Sequence, residues 1–95
     1  MYDPATDTWE ILPDAPRARD HFQAVVIDDH LYVVGGRDTS DTIFQDTIAE
    51  VDVYDFASGT WSTLPPDANL PTERAGAATV GLAEDVIVMG GETIE

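Results

Sequence analysis

The chain has 95 residues and a mass of 10.3 kDa, enough for one small domain whose surface stays so wet that partners are expected to share in its stability. Against 19 Asp and Glu stand four cations, all arginine, for a net charge of −15 at pH 7; binding to phosphate backbones or anionic lipid rests on cationic side chains, so nucleic acid and membrane surfaces are excluded as partners. Cysteine is absent, which removes disulfides, thiolate metal sites and cysteine nucleophiles, while 43% hydrophobic residues suffice for a folded core.

In chain order, MYDPATDTW (residues 1–9) is polar, unlike the cationic and apolar stretches of an export leader, and no later apolar run reaches membrane-spanning length. A mature soluble chain, cytoplasmic rather than exported, is the expectation. AVVIDD and HLYVVGG, within 24–36, are β-branched runs joined by an Asp-Asp turn and predict a hairpin of two largely buried strands. RDTSDTIFQD follows as an acidic loop. In EVDVYD (50–55), Val51 and Val53 alternate with Asp52 and Tyr54, which predicts a strand with two different faces. FASG turns the chain into TWSTLP, a fourth strand closed by proline, which cannot donate to a ladder. From Arg74, AGAATVGLAEDVIVMGG repeats the first hairpin, and no stretch reads as an amphipathic helix.

The chain therefore aligns on itself. Tyr2-Asp3 returns as Tyr54-Asp55, Trp9 as Trp61 and Leu12-Pro13 as Leu64-Pro65, each 52 residues on; Arg19 returns as Arg74 and Gly35-Gly36 as Gly90-Gly91, each 55 residues on. The difference falls in the Pro-rich loop after Leu-Pro, where a repeat architecture tolerates insertion. One unit, 19–65, holds four antiparallel strands. A second, 74–95, holds only the opening hairpin, and residues 1–13 read as its missing half, so a chain end is expected to be completed by a chain beginning.

A double glycine after an apolar strand, a Tyr-Asp downstream and a tryptophan seven residues after that tyrosine occur here as Gly35, Gly36, Tyr54 and Trp61, and as Gly90, Gly91, Tyr2 and Trp9. In these motifs and in a period of about 50 residues the chain resembles kelch repeats. The resemblance implies an all-β fold of kelch-like β-propeller blades, four antiparallel strands each, two blades per chain. The glycines would permit positive φ and close backbone approach at the end of the second strand, and Tyr54 and Trp61 would fill the wedge between blades. Propellers hold about four to eight blades, so two leave apolar faces and strand edges open. Three copies make six, a common kelch number, and a cyclic homotrimer closed by head-to-tail contacts is the expected assembly. A fragment of a longer propeller, or an excised or engineered piece with no task beyond assembly, is the alternative.

No catalytic set emerges. Ser40, Ser58 and Ser62 lie in or beside turns without a nucleophile elbow, and neither His21 nor His30 has a recognisable orienting carboxylate. Kelch-like folds include sugar mutarotases, which stand as the enzymatic alternative, and copper radical oxidases, whose cofactor needs a cysteine this chain lacks. No cofactor is expected. Asp38, Ser40, Asp41 and Asp46 are hard oxygen donors without the glycine and terminal glutamate of an EF-hand loop, and read as a solvated acidic loop rather than a metal site. By the resemblance, Arg19 and Arg74 start inner strands and Arg37 follows the double glycine on the same channel rim, with His21 beside it. Copies of these would form a positive collar for a protein or an acidic peptide, since guanidinium binds carboxylate in two-pronged fashion. The structural alternative has Arg19 and Arg74 pairing with loop aspartates such as Asp20 or Asp67. The acidity itself resembles adaptation to high salt and predicts assembly that strengthens as salt screens self-repulsion.

Overall fold

Turn residues cut this chain into short runs of β-branched and aromatic residues, and each run becomes a strand. The computed structural model describes residues 1–38 and 46–93 and is all-β there apart from one 3₁₀ turn, Pro66–Ala68. The strands are β1 (Tyr2–Asp3), β2 (Thr8–Trp9), β3 (Gln23–Ile27), β4 (His30–Val34), β5 (Arg37–Asp38), β6 (Asp46–Thr47), β7 (Asp52–Asp55), β8 (Thr60–Thr63), β9 (Ala78–Leu82) and β10 (Asp85–Met89).

The order β3-β4-β7-β8 makes one four-stranded antiparallel sheet, a full blade. Its first hairpin turns on Asp28 and Asp29, at φ 50° and 61°; two left-handed residues in succession match the right-handed twist of the strands they join. The β9–β10 hairpin packs flat on this sheet. Gly81 is the contact point, since a Cβ there would sit 3.0 Å from Val25 and 3.4 Å from Ile27. Behind it Val34, Val51 and Val53 form the core, with Tyr32, Val86 and Val88 against them. Pro13 lies over the opposite face, where its carbonyl accepts the Trp61 indole N–H at 2.8 Å.

The internal repeat is a repeat of geometry. Tyr2 and Trp9 have ring centroids 5.0 Å apart, and Tyr54 and Trp61 5.1 Å apart. Asp3 accepts the Ala5 amide at 2.9 Å, as Asp55 accepts that of Ala57 at 2.9 Å. The bridge between Asp20 and Arg37 returns as that between Ala75 and Glu92. Gly36 and Gly91, at φ 93° and 84°, each bring the backbone so close to the preceding loop that a Cβ would stand 2.7 Å from a carbonyl oxygen, of Asp20 and Ala75 respectively. No side chain fits either place.

One expectation needs correction, and two features carried no sequence signal. The first hairpin is not largely buried: Ala24 and Val26 of β3 are exposed because only the Val25 and Ile27 face of that strand is covered, and Gln23, on the covered face, is exposed at the end of the strand. EVDVYD has two chemically different faces, but both are buried, Asp52 as deeply as Val53. The acidic loop is gathered at its base by β5 pairing with β6, a small ladder without a sequence signal. The radius of gyration, 14.1 Å, exceeds the roughly 12 Å expected of a close-packed chain this long, in keeping with its elongated extents of 46 × 34 × 22 Å.

Candidate functional site

Four loop segments meet at one end of the blades. The Asp20 amide donates to the Arg37 carbonyl, the Gly36 amide to the Arg74 carbonyl and the Gly76 amide to the His21 carbonyl. These bonds, with the Ala75 amide donating to the Glu92 carbonyl, bring residues 19–22, 35–38, 74–77 and 90–92 together, so Arg19, His21, Arg37 and Arg74 all stand at that end, in different electrostatic settings.

Arg19 is not available to a ligand. Its side chain is 3% exposed; Nη2 donates to Asp52 Oδ2 at 2.5 Å and Nη1 to the Gly35 carbonyl at 2.7 Å. Arg17, which the sequence did not single out, donates Nε to the same carboxylate at 2.9 Å and bonds Glu50 through Nη1. The Thr63 hydroxyl donates to Asp52 Oδ1 at 2.6 Å. Two arginines thus converge on one buried carboxylate; a buried charge is tolerable only when it is paired in this way. Burial pushes the Arg19 pKa below its usual value, and the hydrogen bond and charge of Asp52 act against that shift. Arg19 braces the blade, and its partner is Asp52 rather than Asp20 or Asp67.

Arg37 does pair with Asp20, Nε to Oδ1 at 3.0 Å. His21 completes the group, with Nδ1 2.8 Å from Asp20 Oδ1 and Nε2 3.1 Å from Arg37 Nη2. That pattern suits a neutral ring carrying its proton on Nδ1, donating to the carboxylate and accepting from the guanidinium. The backbone of His21 is left-handed, φ 53°, where the second repeat has Gly76 at φ 69°. Arg74 donates to the Thr72 and Gly90 carbonyls at 3.2 and 2.9 Å, and no carboxylate lies within ion-pair distance of it among the described residues. Of Arg19, Arg37 and Arg74, the first two are paired with Asp52 and Asp20, and Arg74 is held by backbone carbonyls.

Beside it is a cleft of about 280 Å³ whose lining includes Arg17, Asp38, Asp46, Glu50 and Glu73, so the loop end is mixed in charge rather than positive. Asp38 and Asp46 oppose each other in the β5–β6 ladder, while Ser40 and Asp41 lie outside the described residues. Among the described residues no three metal-ligating side chains converge, and no helix is long and apolar enough to cross a membrane. His30 lies far along the blade, at the opposite end of β4, with Nε2 3.7 Å from Asp55. Tyr54 is buried and Trp61 half-buried, whereas Trp9, its repeat equivalent, is 79% exposed.

The family model of the Kelch motif matches residues 18–67. Alpha-scruin of Limulus polyphemus is 30% identical over 98% of this chain, Kelch-like protein 38 of Rattus norvegicus 33% over 97%, and a putative F-box/kelch-repeat protein of Arabidopsis thaliana 36% over 92%. The chain spans 9%, 15% and 32% of the lengths of these three relatives. With the matched motif lying on the one complete four-stranded blade, the chain belongs to the kelch-repeat family.

Proposed function

We propose that the chain is a propeller module that works by binding protein without chemistry of its own, and that its first partners are further copies of itself, three of which give a six-bladed ring. One observation carries this reading: the two open flanks of the chain correspond, residue for residue, to the two sides of the interface it already makes between its own blades. Val25, Ile27, Tyr32 and Val34 cover Gly81, Val86 and Val88 inside the chain. Their equivalents 55 residues on, Val80, Leu82, Ile87 and Met89, lie on the outer face of the β9–β10 hairpin, and on the other flank the equivalents of the covered set are Val26, which is exposed, Leu31, half-buried, and Val33, buried in the wall of a cleft. Heterologous contacts that repeat under rotation close into rings.

In such a ring the loop end surrounds a central opening, where Arg74 offers a guanidinium to a carboxylate of a protein ligand, with His21 and Arg37 alongside. The test is the mass in solution by light scattering, at low and at molar salt. A mass of about three chains supports the reading, and a monomer at both salts removes it.

A further inference from the structure

The free edge of β10 and the free edge of β1 have a defined fit for each other. Within the complete blade, β4 pairs with β7 so that His30 opposes Asp55, Leu31 opposes Tyr54 and Tyr32 opposes Val53. The repeat offsets carry His30, Leu31 and Tyr32 to Asp85, Val86 and Ile87, and carry Asp55, Tyr54 and Val53 back to Asp3, Tyr2 and Met1. Among the described residues β10 is paired only with β9, and β1 only with β2, so the edges this pairing needs are open.

We infer that a second copy of this chain adds its β1–β2 hairpin to β10, in the register Asp85 to Asp3, Val86 to Tyr2 and Ile87 to Met1. The inference rests on the head-to-tail reading above and names its seam. An apolar cavity of about 180 Å³ opens beside this edge, lined by Tyr32, Val51, Leu64, Leu70, Val86 and Val88 among others. Residues directly opposite in a ladder share a face, so Tyr2 of the incoming copy lies on the Val86 side, over that cavity. On the other flank an apolar groove of about 400 Å³, lined by Phe22, Ala24, Leu31, Val33 and Trp61, is the matching receptor for Val80, Leu82, Ile87 and Met89. Gly35 and Gly90 report the same vacancy. A Cβ on Gly35 would meet the Arg74 carbonyl at 2.9 Å, whereas Gly90 has nothing within 4 Å, because the strand entry that would approach it belongs to the next copy.

The seam differs from the internal interface in two ways. Val26 stands where the internal interface has Gly81, which adds bulk, while Ala78, Ile87 and Ala24 replace Gln23, Tyr32 and Thr79, which removes it. More tellingly, the intact blade sets His30 against Asp55, and the seam sets Asp85 against Asp3. Like charges directly opposite in a ladder are unfavourable. The seam is thus weakened at one named pair, and relieving that pair strengthens it.

The test uses the full chain, which has no cysteine of its own. Asp3→Cys/Asp85→Cys places two thiols in register, and Asp3→Cys/Ile87→Cys places them two residues out, about 7–8 Å apart, beyond the reach of a disulfide. Under mild oxidation the first variant is expected to give covalent multimers on non-reducing gels and the second almost none. Asp85→His, measured by light scattering at pH 6, is expected to lower the concentration of half-assembly by about two- to fivefold per seam. Assembly of the parent chain with equal cross-linking of both variants, and no gain from Asp85→His, overturns the register while leaving head-to-tail assembly standing. A monomer at every concentration and salt overturns both.

Discussion

Removing the Asp52 carboxylate should cost this chain most of its stability. Asp52 is 1% exposed and accepts from Arg17, Arg19 and Thr63, so Asp52→Ala leaves the Arg19 guanidinium buried without its counter-charge. Breaking a buried pair from one side costs about 3–5 kcal/mol, a large share of the roughly 5–15 kcal/mol typical of whole domains. With a urea slope of about 1–3 kcal/mol/M, the midpoint should fall by roughly 2 M. The assay is urea unfolding followed by circular dichroism, on the parent, on Asp52→Ala and on the double variant Arg19→Met/Asp52→Leu. The double variant removes both charges and fills the space with apolar atoms, so it should recover most of the loss even if the single variant is unfolded in buffer. A loss below about 1 kcal/mol in Asp52→Ala, or a double variant no better than the single, would refute the bracing role given to Arg19.

Ala83, left-handed at φ 55° in the β9–β10 turn, should gain about 1 kcal/mol on replacement by glycine, whereas Gly36→Ala, with its Cβ 2.7 Å from the Asp20 carbonyl, should lose at least as much; thermal unfolding of the two variants must move in opposite directions. The Asp55 carboxyl is held below its ordinary value first by the Ala57 amide, with burial acting against it and the Ser58 amide and His30 charge acting with it. A depressed folded pKa gives stability that is present above the unfolded value and lost as pH falls through the folded one, so carboxyl NMR should find Asp55 titrating low and Asp55→Ala should flatten the acid limb of the stability curve. In Trp61→Phe, the exposed Trp9 is the sole indole. Its emission should move to the blue as concentration carries the chain into assembly, because Trp9 pairs with Tyr2 in the hairpin that joins the next copy, and a rising mass with unchanged emission would contradict that seam.

Much of the fold was legible because the chain states it twice. The offsets of 52 and 55 residues that align Tyr2 with Tyr54 and Gly35 with Gly90 are the same offsets that relate ring pairs, turn caps and bridges in space. Further use of that alignment would have found more. Gly59 and Gly76 are left-handed, and their equivalents Asp7 and His21 adopt the same conformation without the freedom of glycine. What the sequence hid was electrostatic. An aspartate alternating with valines marks a face of different chemistry but not what covers it, and only the return of residues 17–19 across β7 and β8 shows that Asp52 is the buried partner of two arginines. The Arg19 guanidinium, which the sequence places beside a channel rim, donates instead into the blade, to the Gly35 carbonyl and Asp52. The β5–β6 ladder, two residues per strand, is too short to leave a periodic signal.

The most direct test of the account is the mass of the parent chain in solution across concentration, at about 0.1 M and about 1 M salt, where the Debye length falls from about 10 Å to about 3 Å. A chain of net charge −15 whose flanks match head to tail should reach a mass near three times 10.3 kDa, and should do so at lower concentration in molar salt. A mass of 10.3 kDa under every condition, or a two-copy particle that salt does not strengthen, would contradict it.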